Sequence, residues 1–74
     1  MKSDRIREFV KRAPFIPFDI KTTDGRAYLV DHPEFLSVSR NGDTIVYFTE
    51  DDRIAVIDVD QIVALELSNR PSAA

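Results

Sequence analysis

The chain has 74 residues, no cysteine and a formal net charge of −3 at pH 7. That length accommodates one domain, and without cysteine there is neither a disulfide framework nor a thiolate metal site. The apolar fraction of 43% and the charged fraction of 31% are typical of a folded domain rather than a disordered chain. A domain this small buries only about 60% of the surface that its unfolded chain exposes, which makes self-association a common source of added stability.

Charge is distributed unevenly along the chain. Residues 1–12 carry five basic and two acidic side chains, a balance of +3, and the remainder carries −6. A nucleic-acid-binding domain usually has a strong basic excess, which this chain lacks as a whole. The first residues have no apolar run of the kind found in signal peptides, and no stretch approaches the roughly 18 apolar residues of a membrane-spanning helix. We therefore expect a cytoplasmic protein without a membrane segment.

The chain begins with a short amphipathic segment, predicted as a helix over residues 3–12. Ile6, Phe9 and Val10 recur at the i, i+3 and i+4 spacing of one apolar face. Ser3 is of the residue type that caps a helix N-terminus. Because a helix of about three turns is marginal alone, we expect its apolar face to dock on the rest of the domain.

An apolar linker follows the helix. Pro14 and Pro17 end the helix and stiffen the linker into extended structure. Two aromatic side chains in and beside this linker are too apolar for an exposed connection. We expect both of them, Phe15 and Phe18, to plug one end of the β structure.

Short strands and tight turns occupy the chain between residues 15 and 67. Asp24-Gly25 and Asn41-Gly42 are strong hairpin signals, because both residues of such a turn tolerate positive φ. His32-Pro33 interrupts the second strand, residues 27–40, and we expect a bend there because proline cannot donate a ladder hydrogen bond. A long bent strand lets a short chain curl one sheet into a small barrel. The sequence therefore predicts a mainly β fold, in which an N-terminal α-helix precedes a five-stranded, strongly bent antiparallel sheet that forms a small barrel.

The predicted organisation is a single domain over the whole chain. The helix spans residues 3–12, the barrel spans 15–67, and a frayed tail spans 68–74 of the single domain 1–74. The last strand, Ile62–Leu67, holds one charged side chain and so has a poorly protected edge. Edges that pair head to tail make a ring when the rotation closes. We therefore expect a homo-oligomer whose contact residues are Tyr47, Ile62, Ala64 and Leu65.

Candidate catalytic and metal-binding chemistry is sparse. His32 is the only histidine and has no recognisable partner, so we expect it to be a bend residue rather than a general base. Asp58-x-Asp60 and Glu50-Asp51-Asp52 have the oxygen ligands that a hard cation prefers, but solvated turn carboxylates are the favoured interpretation. The two glycines lie in separate turns, and neither begins a helix as a phosphate-binding loop requires. We predict a protein that is not an enzyme and needs no metal or cofactor.

The element order and one tripeptide resemble a known family. A helix, a strand ending in Asp24-Gly25-Arg26, a bent second strand, and two short strands flanking a tight connection resemble the Sm-like fold, which includes the Hfq-type RNA chaperones. The string from Pro17-Phe18 to His32-Pro33-Glu34-Phe35 also resembles small bacterial proteins of the same layout. The resemblance covers roughly residues 3–67 and implies a small Sm-like or SH3-like barrel. It further implies rings formed through the last strands and single-stranded RNA bound by two loops.

Two surfaces are candidates for RNA. The basic helix face would be repeated around a ring to give a positive surface, although a solvated amphipathic helix is the simpler interpretation. The resemblance implies a base and phosphate contact in the loop Arg40–Asp43. The predicted nucleic-acid-binding residues are therefore Arg5, Arg7, Lys11, Arg12, Arg40 and Asn41. Tyr28 or Tyr47 is a possible stacking platform for a base, but core packing is the favoured role.

A ring-forming Sm-like scaffold that contacts single-stranded RNA is the leading functional hypothesis. A protein-interaction module that pairs a partner strand onto its open sheet edge, with no nucleic acid, is the alternative. An enzyme subunit with a site at a shared interface is a weaker third hypothesis.

Overall fold

A computed structural model describes residues 2–49 and 51–67, and within them one helix precedes six short strands. The mainly β fold with an N-terminal helix is therefore confirmed. The elements, in chain order, are α1 (Ser3–Lys11), β1 (Phe18–Thr22), β2 (Ala27–Val30), β3 (Leu36–Val38), β4 (Thr44–Phe48), β5 (Ile54–Asp58) and β6 (Ile62–Leu67). Single 3-10 turns, Pro33–Phe35 and Val59–Gln61, precede β3 and β6. The predicted tail, residues 68–74, lies outside the described residues.

The strands form two antiparallel sheets rather than one. The first sheet has the order β2-β1-β6 and the second the order β3-β4-β5. The predicted single five-stranded sheet is therefore wrong, and the ladders of the described residues do not close into a barrel. The Tyr47 hydroxyl on β4 donates a hydrogen bond of 2.6 Å to the Leu29 carbonyl on β2, which joins the two sheets where no ladder connects them.

The predicted bent strand is divided in two at His32-Pro33. Pro33 begins a 3-10 turn, in which the Phe35 amide donates to the His32 carbonyl at 3.1 Å and the Leu36 amide donates to the Pro33 carbonyl. Proline lacks an amide hydrogen and fixes its φ near the helical value, so the chain gains turn bonds here and loses ladder bonds. The break sends β2 and β3 into different sheets, which gives six strands in place of the predicted five.

Helix α1 contributes directly to the core. Ile6 is completely buried, in the same cluster as Phe18, Ile20 and Ile45. The Phe9 ring stands edge-on to the Phe18 ring, with 5.1 Å between their centroids. The expected docking of the apolar helix face is therefore confirmed. The cap differs from the expectation, because the N-cap position is Lys2 and has no side-chain cap hydrogen bond.

The linker aromatics pack as expected at one end of the core. Phe18 is fully buried, and Phe15 is half-buried with its ring centroid 6.0 Å from that of Phe18. Together with Phe9 they cover the start of β1. The linker therefore acts as a stiff apolar cap between α1 and the first sheet.

The three hairpin turns share one geometry. In each turn a Thr or Ser hydroxyl donates a hydrogen bond to an Asp or Asn side chain two residues later. The residue that follows this Asp or Asn has positive φ. That hydroxyl is the main reason why the pKa of the turn aspartates, Asp24 and Asp51, lies below its usual value. Of the two turn residues that tolerate positive φ, only the second adopts it. The three sets are Thr22-Asp24-Gly25, Ser39-Asn41-Gly42 and Thr49-Asp51-Asp52.

Asp52 occupies a backbone position that favours glycine. Its φ is 64°, where Gly25 and Gly42 have 85° and 79° at the matching positions of the other turns. A side chain in this left-handed region costs about 1 kcal/mol relative to glycine. We expect Asp52→Gly to be more stable than Asp52→Ala by about that amount, because both changes remove the charge and only glycine removes the strain. Urea unfolding of the two variants measures the difference, and equal stabilities would contradict the assignment of strain.

Candidate functional site

The exposed apolar side chains lie on a few strands at the ends of the two sheets. Val56 on β5 is 69% exposed, Ile54 on the same strand 62%, and Val63 on β6 60%. Phe48, which is the partner of Ile54 across the β4–β5 ladder, and Leu67 at the end of β6 complete the set of exposed large apolar side chains among the described residues. Exposed apolar residues that gather on a few strands, rather than scatter over the surface, are typical of interaction surfaces, and here they form one group on β4 and β5 and another on β6.

The same two strands have open backbone edges. β5 pairs only with β4, and β6 pairs only with β1, within the described part of the chain. An open edge presents a row of amide and carbonyl groups on which a further strand can pair. The single charge on β6 gives little protection, because the Glu66 carboxylate accepts an ion pair of 3.0 Å from Lys21 on the neighbouring strand β1. Two different edges of this kind suit head-to-tail association.

The residues predicted as oligomer contacts differ in how much of their side chain is exposed. Ile62 is 2% exposed and belongs to the core, so its side chain has almost no surface to give to a second copy. Tyr47 is half-buried, with its hydroxyl on Leu29 and its ring 5.4 Å from the Tyr28 ring in an edge-on contact. Ala64 and Leu65 are half-buried on β6 beside the open edge.

The most exposed edge residues were missed by the sequence argument. Ile54-Ala55-Val56-Ile57 is a run of four apolar residues in a strand that has a partner on one side only. In such a strand alternate side chains point to opposite faces, so an unbroken apolar run places two of them outward. That apolar run could have predicted the exposed apolar face of β5.

A groove runs between helix α1 and strand β6. Its floor is apolar, and its rim on the helix side is basic. Arg5 is exposed on this rim, and the structure gives it no ion pair with another described residue. The groove therefore extends from the open edge of β6 to the space beneath helix α1. Its lining residues are Lys2, Arg5, Phe9, Ile62, Val63 and Leu65.

The residues predicted for RNA binding separate into two groups. Arg5, Lys11, Arg12 and Arg40 are exposed, and the Arg12 guanidinium lies 5.1 Å from the centre of the Phe9 ring. The other two residues, Arg7 and Asn41, make hydrogen bonds within the domain. An exposed cation can reach a phosphate without disturbing the fold, whereas a bonded one first has to give up its partners.

Arg7 and Asn41 hold the turn between β3 and β4. The Arg7 guanidinium donates to the Ser39 carbonyl at 2.9 Å and to the Arg40 carbonyl at 3.5 Å, which ties the helix to the turn. The Asn41 side-chain oxygen accepts from the Ser39 hydroxyl at 2.9 Å and from the Asp43 amide at 3.2 Å. Both side chains therefore stabilise the turn at which the resemblance implies a nucleotide contact.

The two loops at which the resemblance implies RNA binding, residues 40–43 and residues 58–61, meet in one groove. The Val59 amide donates to the Asp43 carbonyl at 2.9 Å, so the connection before β6 lies against the turn between β3 and β4. The start of helix α1 forms the third wall of the groove. Four carboxylates and one ammonium group line it, a balance that repels phosphate by simple Coulomb interaction. They belong to Asp4, Asp43, Asp58, Asp60 and Lys2.

The residues considered for catalysis and metal binding are not assembled into a centre. His32 is exposed, and its ring stands edge-on to the Phe35 ring at 5.2 Å. Within residues 2–49 and 51–67, no three His, Cys, Asp or Glu side chains converge as metal ligands would. Glu50, part of the second carboxylate cluster, lies outside the described residues.

No protein-family model, no curated protein and no solved structure matches this chain. Among the described helices, none has the length and apolar character needed to cross a membrane. The features of this chain that bear on function are the open edges, the groove under α1 and the distribution of charge.

Proposed function

We propose that this protein is a non-catalytic, Sm-like scaffold whose copies assemble head to tail, with the β5 edge of one copy paired to the β6 edge of the next. The observation that carries the proposal is the location of all the exposed large apolar side chains of the described residues on β5, on β6 and at the adjoining end of β4. Assembly would bury these side chains and give both open edges their missing hydrogen bonds.

The order of the strands supports the Sm-like part of the proposal. β1 lies between β2 and β6, and β2 continues through a 3-10 turn into β3, which pairs with β4 and then β5. If β2 and β3 are counted as one bent strand, the path runs from β6 through β1 and the bent strand to β4 and β5. That path leaves the last two strands at opposite ends, flanking one short helical turn, as the resemblance implies.

Replacing Val56 by lysine should break the assembly and spare the fold. Val56 is 69% exposed on β5, so a lysine there meets water in the single copy and places a charge in the paired edge. We expect wild-type protein to give a multiple of the chain mass in native mass spectrometry at tens of micromolar, and Val56→Lys to give the monomer. Ser37→Lys is the matched control, since Ser37 is exposed on β3, at the opposite edge of the same sheet from β5. A monomeric wild type would contradict the proposal.

Contact with single-stranded RNA is a second candidate function, favoured by the exposed cations of the helix and of the neighbouring turn. We propose that Lys11, Arg12 and Arg40 supply phosphate contacts, repeated in each copy of the assembly, outside the acidic groove. Because phosphate contacts release counterions, the affinity should fall steeply between low and physiological salt. Lys11→Glu should weaken binding, and Arg26→Glu serves as the control, since Arg26 is exposed in the turn between β1 and β2. No binding at low salt would end the RNA hypothesis.

The alternative function is capture of a partner strand on the open edge, without self-assembly. It uses the same exposed apolar side chains, and it differs in one measurable respect. A scaffold of this chain alone assembles when pure, whereas a capture module stays monomeric until its partner is added. The mass of the purified wild type therefore separates the two.

A further inference from the structure

We infer that Arg5 on the rim of the groove under α1 pairs with Asp58 at the end of β5 in the next copy, and that this contact fixes the direction in which two copies pair. The inference rests on the proposed edge-to-edge assembly and names the polar contact that orients it. The occupant of the groove is thus the β5 strand of a second copy of this chain.

The charges at the two ends of each edge favour an antiparallel arrangement. The groove beside β6 is basic at its start, where Arg5 and Lys2 lie near Ile62 and Val63. Near its other end β6 carries Glu66, whose carboxylate pairs with Lys21 on β1. The incoming β5 has Arg53 just before its first residue and Asp58 as its last.

Antiparallel pairing brings Asp58 to Arg5, an unlike pair in which neither group has another ion-pair partner among the described residues. At the other end of the interface, Arg53 and Glu66 already pair with Asp51 and Lys21 within one copy. Parallel pairing would instead place Arg53 beside Arg5, which is a contact between like charges. Like charges opposed across a pairing edge are destabilising, so the charge pattern selects one direction.

The proposed partners have no competing ion pair in the single copy. Arg5 and Asp58 are both exposed, and the ion pairs of the described residues involve other side chains. Arg5 stands beside the apolar floor of the groove, where an incoming strand would exclude water and strengthen a charge pair relative to one in solvent. The apolar surfaces of Val56 and Val63 supply the attraction in this arrangement, and the Arg5–Asp58 pair supplies its direction.

A charge exchange tests the pair. We expect Arg5→Glu and Asp58→Arg each to raise the dissociation constant of the assembly by about tenfold or more, as measured by analytical ultracentrifugation. The double variant, which restores the pair in reverse, should return to within about threefold of the wild type. Glu8→Arg is the control, since it reverses a charge on the same helix at an exposed residue that does not line this groove. Circular dichroism of each variant checks that the fold is retained.

Each outcome bears on one proposal or on both. If Arg5→Glu assembles like the wild type while Val56→Lys is monomeric, edge pairing stands and the Arg5–Asp58 contact is overturned. If both single charge variants dissociate and the double variant does not recover, the contact is again overturned. If only a chain ended at Leu67 assembles, residues 68–74 occupy the groove in the full chain, and the inference fails. A wild type that is monomeric throughout overturns both proposals.

Discussion

Replacement of Ile6 by alanine should lower the free energy of unfolding by about 2–5 kcal/mol, the usual cost of deleting a buried aliphatic side chain. Ile6 is completely buried and packs in the same cluster as the strand residues Phe18, Ile20 and Ile45. Alanine forms helix better than isoleucine does, so any loss must come from packing and not from helix propensity. For a domain of this length the whole stability is about 4–11 kcal/mol at the usual value per residue, so the change removes a large part of it.

Urea unfolding measures this loss, with Glu8→Ala as the control. Glu8 is exposed on the same helix, and a substitution there should change the free energy of unfolding by less than about 0.5 kcal/mol. A loss below about 1 kcal/mol for Ile6→Ala would mean that the helix is attached to the strands without sharing their core.

Gly42→Ala should destabilise the protein more than Gly25→Ala does. Both glycines have positive φ, at 79° and 85°, so each substitution adds about 1 kcal/mol of backbone strain. A Cβ on Gly25 meets nothing within 4 Å, whereas a Cβ on Gly42 would overlap the Ser3 hydroxyl and lie 3.0 Å from the Ser3 Cβ. The hydroxyl can rotate away, but the Ser3 Cβ belongs to the first residue of α1, so the start of the helix must move. Crowding of this kind typically adds about 1–3 kcal/mol.

A double-mutant cycle separates the strain from the crowding. In the Ser3→Gly background the extra cost of Gly42→Ala should largely disappear, while the cost of Gly25→Ala should not change. The larger change Gly25→Val should damage folding through strain alone, because its site is open. Equal losses for the two alanine variants would contradict the close approach of the helix to the turn between β3 and β4.

Sequence patterns predicted the parts of this fold that local chemistry controls. The apolar spacing of Ile6, Phe9 and Val10 predicted a helix that docks. Asp24-Gly25 and Asn41-Gly42 predicted two of the hairpin turns, and the polar segment 50–52 predicted the third. Pro33 correctly marked a disruption. The sequence pattern could not show which disruption forms, because a bend and a 3-10 turn both accommodate a residue without an amide hydrogen. The packing of the two sheets decides between them.

The candidate site was predicted less completely. The open edges followed from a small β fold, but the outward position of Val56 depends on which face of β5 packs against the core. The structural role of Arg7 depends on carbonyl groups more than 30 residues away, at Ser39 and Arg40, which no local pattern reveals. Ile62 was also predicted from the sequence as an interface residue. The pattern does not distinguish a core residue from an edge residue of one strand until the register with β1 is known.

The most direct test of edge-to-edge assembly is the mass of an equal mixture of Val56→Lys and Val63→Lys, one of them isotope-labelled, by native mass spectrometry. Each variant has one blocked edge and one intact edge, on β5 and β6 respectively. We expect each variant alone to be monomeric and the mixture to give a labelled–unlabelled dimer and nothing larger, because one intact β5 edge meets one intact β6 edge. A mixture that stays monomeric, or a single variant that retains the wild-type mass, would contradict head-to-tail pairing of these strands.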